Sequence, residues 1–209
     1  MLVGMAGSML LAGGRADFIG ATALSETSTA ITWPGGTQEG DLCILLAVDN
    51  NAWTMPGGWT AVKSFSLDIH GGTSGHAVYS RVVTAADLSS PPTLPTSGMV
   101  FGQGQWQALV YRGVVSATRI ETVTSSAATA DMAAIVVGGS VKKILAIGVD
   151  RDPTAPGYVS GWIGRSSVTS AYFGQAFSDI DAGLYAGGAF SIPLVAAAYG
   201  GLGETFTLS

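Results

Sequence analysis

Two short polar loops hold most of the residues that could bind a ligand. Asp49, Asn50 and Asn51 follow one apolar run, and Asp150 and Asp152 follow another. Their oxygens are hard ligands of the kind that calcium takes in sets of six to eight. Neither loop has the spaced D-x-[DN]-x-[DN]-G pattern, and Asp and Asn also form turns by bonding their own backbone. We therefore predict turn formers that present Asn50, Asn51, Asp150 and Asp152 to a ligand or partner, and no metal site.

Trp53 lies on the connection after the first of these loops rather than on an alternating strand position. A tryptophan next to Asn and Asp suits sugar stacking or a subunit contact, and it also suits a core. The sequence does not decide between these interpretations for Trp53. By contrast, Trp59, Trp106 and Trp162 fit strand positions, which favours core packing.

The sequence contains few residues that could form a catalytic site. The chain has two histidines, His70 in a glycine-rich loop and His76 at the start of a strand, and neither lies near a G-x-S-x-G elbow. The acidic residues fall in loops, and no two of them stand out as the facing pair that a glycosidase needs. We therefore predict no catalytic residue, no cofactor and no enzymatic activity.

The composition excludes several classes of partner. The net charge is −5, and the nine Lys and Arg residues are scattered singly, so no basic stripe could neutralise nucleic-acid phosphates. No window contains the roughly 20 uninterrupted apolar residues of a membrane span. Cys43 is the only cysteine and lies in an apolar run, which predicts a buried, inert thiol and no intrachain disulfide.

The first 17 residues read as an apolar, glycine-rich arm. Its first cation is Arg15, which comes after the apolar part, whereas a secretory signal begins with basic residues. We predict that the arm becomes ordered by laying its apolar side chains on another chain. These side chains are Leu2, Val3, Met5, Met9, Leu10 and Leu11.

The elements that position these loops read as ten to twelve short strands separated by glycine and proline turns. With 47% hydrophobic and 11% charged residues in 209, the chain suits an all-β, jelly-roll-like β-sandwich, predicted as one domain over residues 18–209. A strand-loop-strand unit recurs at an offset of one hundred: Thr54, Pro56 and Gly57 match Thr154, Pro156 and Gly157. We predict pseudo-repeat halves at about 18–115 and 130–209, either packed or intertwined.

Two local patterns predict structure residue by residue. In residues 76–83 the alternation puts Ala77 and Tyr79 on one face and His76 and Val78 on the other. The sequence TAAD at 84–87 predicts a short capped helix that the prolines at 91 and 92 end.

A series of ordered motifs resembles a known family. They are TWPGGTQEGDLCILLAVDNN, MPGGWTAV, YSRVVTAADLSSPPTLPTSG and ALVYRGV, which together span about residues 21–115. This series resembles β-sandwich modules of tailed-phage and prophage virion proteins. The second half of the chain shares only the repeated strand-turn unit. The resemblance implies a structural or adhesive part of a virion, such as a tail tip, fibre or capsid decoration, with threefold assembly favoured.

The function expected from these features is a non-enzymatic virion subunit, made in the bacterial host cytoplasm, that forms a homo-oligomer and docks on other virion proteins. Contact with the host surface would fit the same role. The alternative is a lectin-like, carbohydrate-binding receptor-recognition module, and a weaker alternative is a glycan depolymerase.

Overall fold

The computed structural model describes residues 15–27, 30–51, 55, 57–69, 74–94, 104–151, 154–170, 172–195 and 200–209. Almost all of the regular structure is β, which confirms the all-β prediction. The elements are β1 (Asp17–Ala21), β2 (Leu42–Asp49), β3 (Thr60–Ile69), β4 (Ser74–Val82), α1 (Ala85–Ser89), β5 (Gln105–Arg112), β6 (Ala117–Ser125), β7 (Thr129–Met132), β8 (Lys143–Asp150), β9 (Ile163–Thr169), β10 (Gly174–Asp181), a 3₁₀ turn (Ala182–Leu184), β11 (Phe190–Pro193) and β12 (Gly201–Leu208).

Two five-stranded antiparallel sheets form the sandwich, and each comes from one half of the chain. The first has the order β1-β5-β2-β4-β3 and the second β6-β12-β8-β10-β9, while β7 and β11 pair in a small third sheet. The two orders correspond strand by strand, with β2 and β8 at the centres. The halves are therefore packed sheets rather than intertwined, whereas in a jelly roll each sheet takes strands from both halves.

The main core lies between the two sheets. The inward side chains of β2 and β8 are all buried, and β12 adds Phe206 at 0% exposure. Because both faces of β2 are covered, its sequence is a continuous apolar run rather than an alternating one. The inward residues are Leu42, Ile44, Leu46, Val48, Leu145, Ile147 and Val149.

Each sheet also has an apolar outer face with its own cover. Cys43 lies on the outer face of the first sheet and is fully buried, and this burial raises the pKa of its thiol. Trp106 is buried in the same cluster, with Trp59 packed against it. On the second sheet, the pair β7–β11 covers the outer face, and Trp162 packs there half-buried.

The predicted short helix is present and capped as its sequence indicates. The hydroxyl of Thr84 accepts a hydrogen bond from the Asp87 N–H at 3.2 Å, and the Asp87 carboxylate accepts one from the Thr84 N–H at 2.9 Å. Arg81 adds two bonds to the same carboxylate, at 2.9 and 2.6 Å. These hydrogen bonds lower the pKa of Asp87, so the cap is charged at neutral pH.

Two apolar stretches of the sequence do not form strands. Residues 135–137 are irregular rather than a strand, and Val136 is 93% exposed. Residues 158–162 are also irregular, since β9 begins only at Ile163. Each run buries one apolar side chain, Ile135 and Val159, while Val136 and Tyr158 are exposed.

Several of the predicted contact residues fall outside the part of the chain that the structure describes. The predicted arm side chains lie outside the described residues, as do Trp53, Asp152 and His70. No helix among the described residues is long and apolar enough to cross a membrane. Arg15, the first described residue, lies at the end of the sandwich where β2 and β8 begin, which we term the arm end. We term the opposite end, where β2 and β8 finish, the loop end.

Candidate functional site

The two acidic loops meet at the loop end. Arg151 donates from Nη1 to the side-chain oxygen of Asn50 at 2.8 Å and to the hydroxyl of Ser74. The Ser74 hydroxyl in turn donates to the same Asn50 oxygen at 2.6 Å. The Arg151 guanidinium also lies 5.3 Å from the ring centroid of Phe173. The structure thus brings together two of the predicted contact loops, one from each half of the chain.

The two aspartates that end the central strands shape these loops. Asp49 accepts hydrogen bonds from the backbone N–H groups of Asn50 at 2.5 Å and Asn51 at 3.1 Å. Asp150 accepts one from the N–H of Val195 at 2.7 Å. Both are fully buried, so neither faces a ligand. Asp49 is the turn former that the sequence predicts, whereas Asp150 binds a backbone group that is distant in the chain.

Of the five predicted contact residues, Asn50 is half-buried in this network and Asn51 is exposed. Asp150 lies beneath the loop surface, and Trp53 and Asp152 lie outside the described residues. The described part of the chain holds no group of three His, Cys, Asp or Glu side chains placed to bind a metal ion. The loop end therefore offers amide and guanidinium hydrogen bonding to a partner.

The link across the loop end can be tested by replacing Arg151 with alanine. We expect the free energy of unfolding to fall by about 1 kcal/mol, because Asn50 and Ser74 lose a charged donor. Arg119→Ala is the matched control, since Arg119 is exposed and makes only a 3.5 Å contact to Thr122. Urea denaturation would measure both variants, and equal losses would contradict the assigned link.

A cluster of buried charges joins the sheets, which we term the His76 cluster: Lys63, Asp68, His76 and Glu204. His76 Nδ1 lies 2.8 Å from Asp68 Oδ1, and its Nε2 lies 2.7 Å from Glu204 Oε2. Lys63 Nζ lies 2.9 Å from Asp68 Oδ2. His76 and Glu204 are 0% exposed, so these bonds are shielded from water. The imidazole has no access to a substrate and is not a general base.

The pKa values in the His76 cluster follow from these contacts. Burial alone would lower the pKa of His76, but the hydrogen bonds that the ring donates to Asp68 and Glu204 outweigh it and raise the pKa above its ordinary value of 6.5. Burial would raise the pKa of Asp68, yet its bonds to His76, Ser66 and Lys63 hold it below its usual range. The hydrogen bonds thus favour the protonated form of His76 and the ionised form of Asp68.

A second cluster, which we term the Asp179 cluster, comprises Tyr111, Lys143, Arg165, Asp179 and Asp181. The Asp179 carboxylate is fully buried and accepts from Arg165 at 2.6 and 2.8 Å, from Lys143 at 3.1 Å and from the Tyr111 hydroxyl at 3.0 Å. Asp181 binds Lys143 at 2.7 Å. Burial, with the charge of Asp179, raises the pKa of Tyr111 well above its ordinary value, so the phenol stays a donor.

Both clusters were missed by sequence reasoning, although a signal for them exists. Glu204 alternates with Leu202 and Phe206 on one face of β12, and Asp179 follows Phe177 on the inner face of β10. A charged residue two positions from buried apolar ones marks a paired charge inside the core. The pattern shows which residues need a partner but does not name that partner.

At the arm end, a cavity of about 530 Å³ lies beside the point where the chain enters the described structure. Arg15 and Lys142 line it together with Asp181 and Ser209. Arg15 Nε lies 3.6 Å from the Asp181 carboxylate, and Lys142 Nζ donates to the Gly113 carbonyl at 2.5 Å. The Asp181 carboxylate therefore balances the Arg15 charge, and the Gly113 carbonyl satisfies one donor of Lys142.

Comparison of the chain with models of protein families, with curated proteins and with solved structures finds no match.

Proposed function

We propose that this chain is a non-enzymatic structural subunit of a phage virion, belonging to a tail, fibre or capsid decoration. It forms homo-oligomers, with a trimer favoured, and docks on other virion proteins, and the loop end is the surface that contacts the host. The proposal rests on the sequence motifs of the first half, and it places the protein in the virion after synthesis in the bacterial cytoplasm.

The structural observation that supports the assembly part is a set of exposed apolar side chains near the arm end, in addition to others elsewhere such as Leu67 and Tyr172. Val115 is 67% exposed, Val136 93% and Leu184 72%. Ser209, Gly183 and Gly139 line the cavity at this end. Val115 donates its N–H to the Ser209 carbonyl, Leu184 follows Gly183 directly, and Val136 comes three residues before Gly139. Val82 and Leu88, at the end of β4 and in α1, are 41% and 39% exposed.

Exposed apolar groups near one another are a feature of association surfaces. Those near the arm end lie on the side of the sandwich where Arg15 is found, so we infer that the arm and this surface are buried together in an oligomer. The ionisable side chains, in contrast, are used in turn caps and in the His76 and Asp179 clusters. This use of charge supports a structural role over the depolymerase alternative.

Removal of residues 1–14 tests the assembly role. We expect light scattering to give the mass of a trimer or larger for the full chain and of a monomer for the truncated chain. The truncated chain lacks the apolar side chains with which the arm would contact a neighbouring subunit. Both proteins should have the same circular dichroism spectrum, which controls for loss of fold.

Leu184→Ser in the full chain is a second variant, expected to weaken the oligomer without unfolding the exposed turn. A truncated chain that assembles like the full chain would exclude the arm. A full chain that is a monomer at all concentrations would exclude self-assembly, and a glycan screen would then test the lectin-like alternative.

A further inference from the structure

We propose that His76 is a proton-dependent latch that holds the two sheets together between β4 and β12. The latch is closed when both ring nitrogens carry a proton and is released when one proton leaves. This role is independent of the virion assignment.

With both carboxylates ionised, the hydrogen-bond geometry favours a proton on each ring nitrogen. Both nitrogens of His76 face carboxylate oxygens, at 2.8 Å to Asp68 and 2.7 Å to Glu204. A neutral imidazole has one N–H and one lone pair, so one of these contacts would set a lone pair against an ionised oxygen. Only the imidazolium donates to both. Since Asp68 belongs to β3 and Glu204 to β12, the protonated ring bridges the two sheets.

With Asp68 and Glu204 ionised, the charges around the ring balance when it is protonated. From β3, Asp68 and the Lys63 ammonium face it, with Lys63 Nζ at 3.4 Å from Nδ1; from β12 it meets Glu204. From β6, Thr122 donates a hydroxyl to Glu204 at 2.6 Å, and the exposed Arg119 lies beyond it. Two carboxylates then face two cations. Loss of the proton leaves one net negative charge, with Glu204 fully buried.

In the opposite half of the chain, neutral residues occupy the positions equivalent to His76 and Glu204. Val48 pairs with His76 as Val149 pairs with Gln175, and Ile147 pairs with Glu204 as Leu46 pairs with Gln107. These registers make Gln175 and Gln107 the counterparts of the ionic pair.

The two neutral residues of this junction are held differently. Gln107 donates to the Thr22 carbonyl at 2.8 Å and accepts from Ser166 at 3.1 Å, whereas the buried Gln175 amide has no hydrogen-bond partner among the described residues. The fold therefore packs the two sheets at this position without a charged bridge. The charged copy adds a dependence on protons that the architecture itself does not need.

The matched variant His76→Gln/Glu204→Gln copies the neutral junction into the first half. Between pH 6.5 and the raised pKa of His76, the folded chain holds a proton that the unfolded chain has lost, so stability falls as pH rises. We expect the unfolding equilibrium constant of the native chain to rise by up to tenfold per pH unit over this window, measured by urea denaturation from pH 6 to 9. The double variant should lack this rise.

A direct titration avoids dependence on that variant. His70→Gln leaves His76 as the only imidazole, so its nitrogen NMR signals follow one group. We expect both ring nitrogens to be protonated at pH 6.5, with a midpoint above that pH. A midpoint at or below 6.5 would overturn the latch. So would an unchanged pH dependence in a folded double variant.

Discussion

Replacing Asp179 with alanine should lower the free energy of unfolding by about 3–5 kcal/mol, the usual cost of removing one partner from a buried ion pair. The variant leaves the Tyr111 hydroxyl and the Lys143 ammonium inside the core, where they are 0% and 2% exposed. Lys143 keeps only Asp181, and Arg165 loses both of its bonds to the carboxylate. Urea denaturation followed by tryptophan fluorescence would measure the loss.

Asp181→Ala is the matched control for this experiment. Asp181 also binds Lys143, at 2.7 Å, but its side chain is 23% exposed, so water can replace it. We expect a loss of no more than about 1 kcal/mol. If the two variants lost equal stability, the buried position of Asp179 would not be what makes it important.

The second large effect is expected for Phe206→Ala, which should also cost about 3–5 kcal/mol. Phe206 is fully buried in the core between the sheets, on β12, which pairs with both β6 and β8. Its removal leaves a cavity in the core. Because β12 pairs with both β6 and β8, its backbone cannot move inward to fill that cavity. The measurement is again the denaturant midpoint, with an unchanged slope showing that the unfolding transition stays the same.

Leu184→Ala removes apolar volume at a position that is 72% exposed and serves as the control. We expect its effect on the unfolding free energy of the monomeric, arm-truncated chain to stay within about 0.5 kcal/mol. A small effect of Phe206→Ala under the same conditions would contradict the assignment of the core to the space between the sheets.

Local patterns in the sequence were sufficient for much of this fold. The alternation in residues 76–83 correctly placed Ala77 and Tyr79 on one face and His76 and Val78 on the other, and the structure shows that the first is the outer face and the second the inner face. The capping residues Thr84 and Asp87 correctly located α1. These predictions succeeded because strand periodicity and helix caps depend on residues that are neighbours in the chain.

Partners that are distant in sequence could not be predicted in this way. Glu204 meets His76 across 128 residues, and Arg151 meets Asn50 across 101. Each pairing depends on how the two sheets face one another, which no local pattern encodes. The repeat at one hundred residues indicated two halves, but it did not show that each half would form a separate sheet.

The assignment of one sheet to each half has a consequence for folding during synthesis. The strands of the first sheet are complete once Arg112 has emerged, yet their apolar inner face is covered only when the second sheet forms. That sheet needs β12, which lies between β6 and β8 and is translated roughly 100 residues later, a delay of about 5–20 seconds at usual synthesis rates. During this interval the nascent chain presents an open hydrophobic surface, the kind of surface that makes incompletely folded chains prone to aggregation.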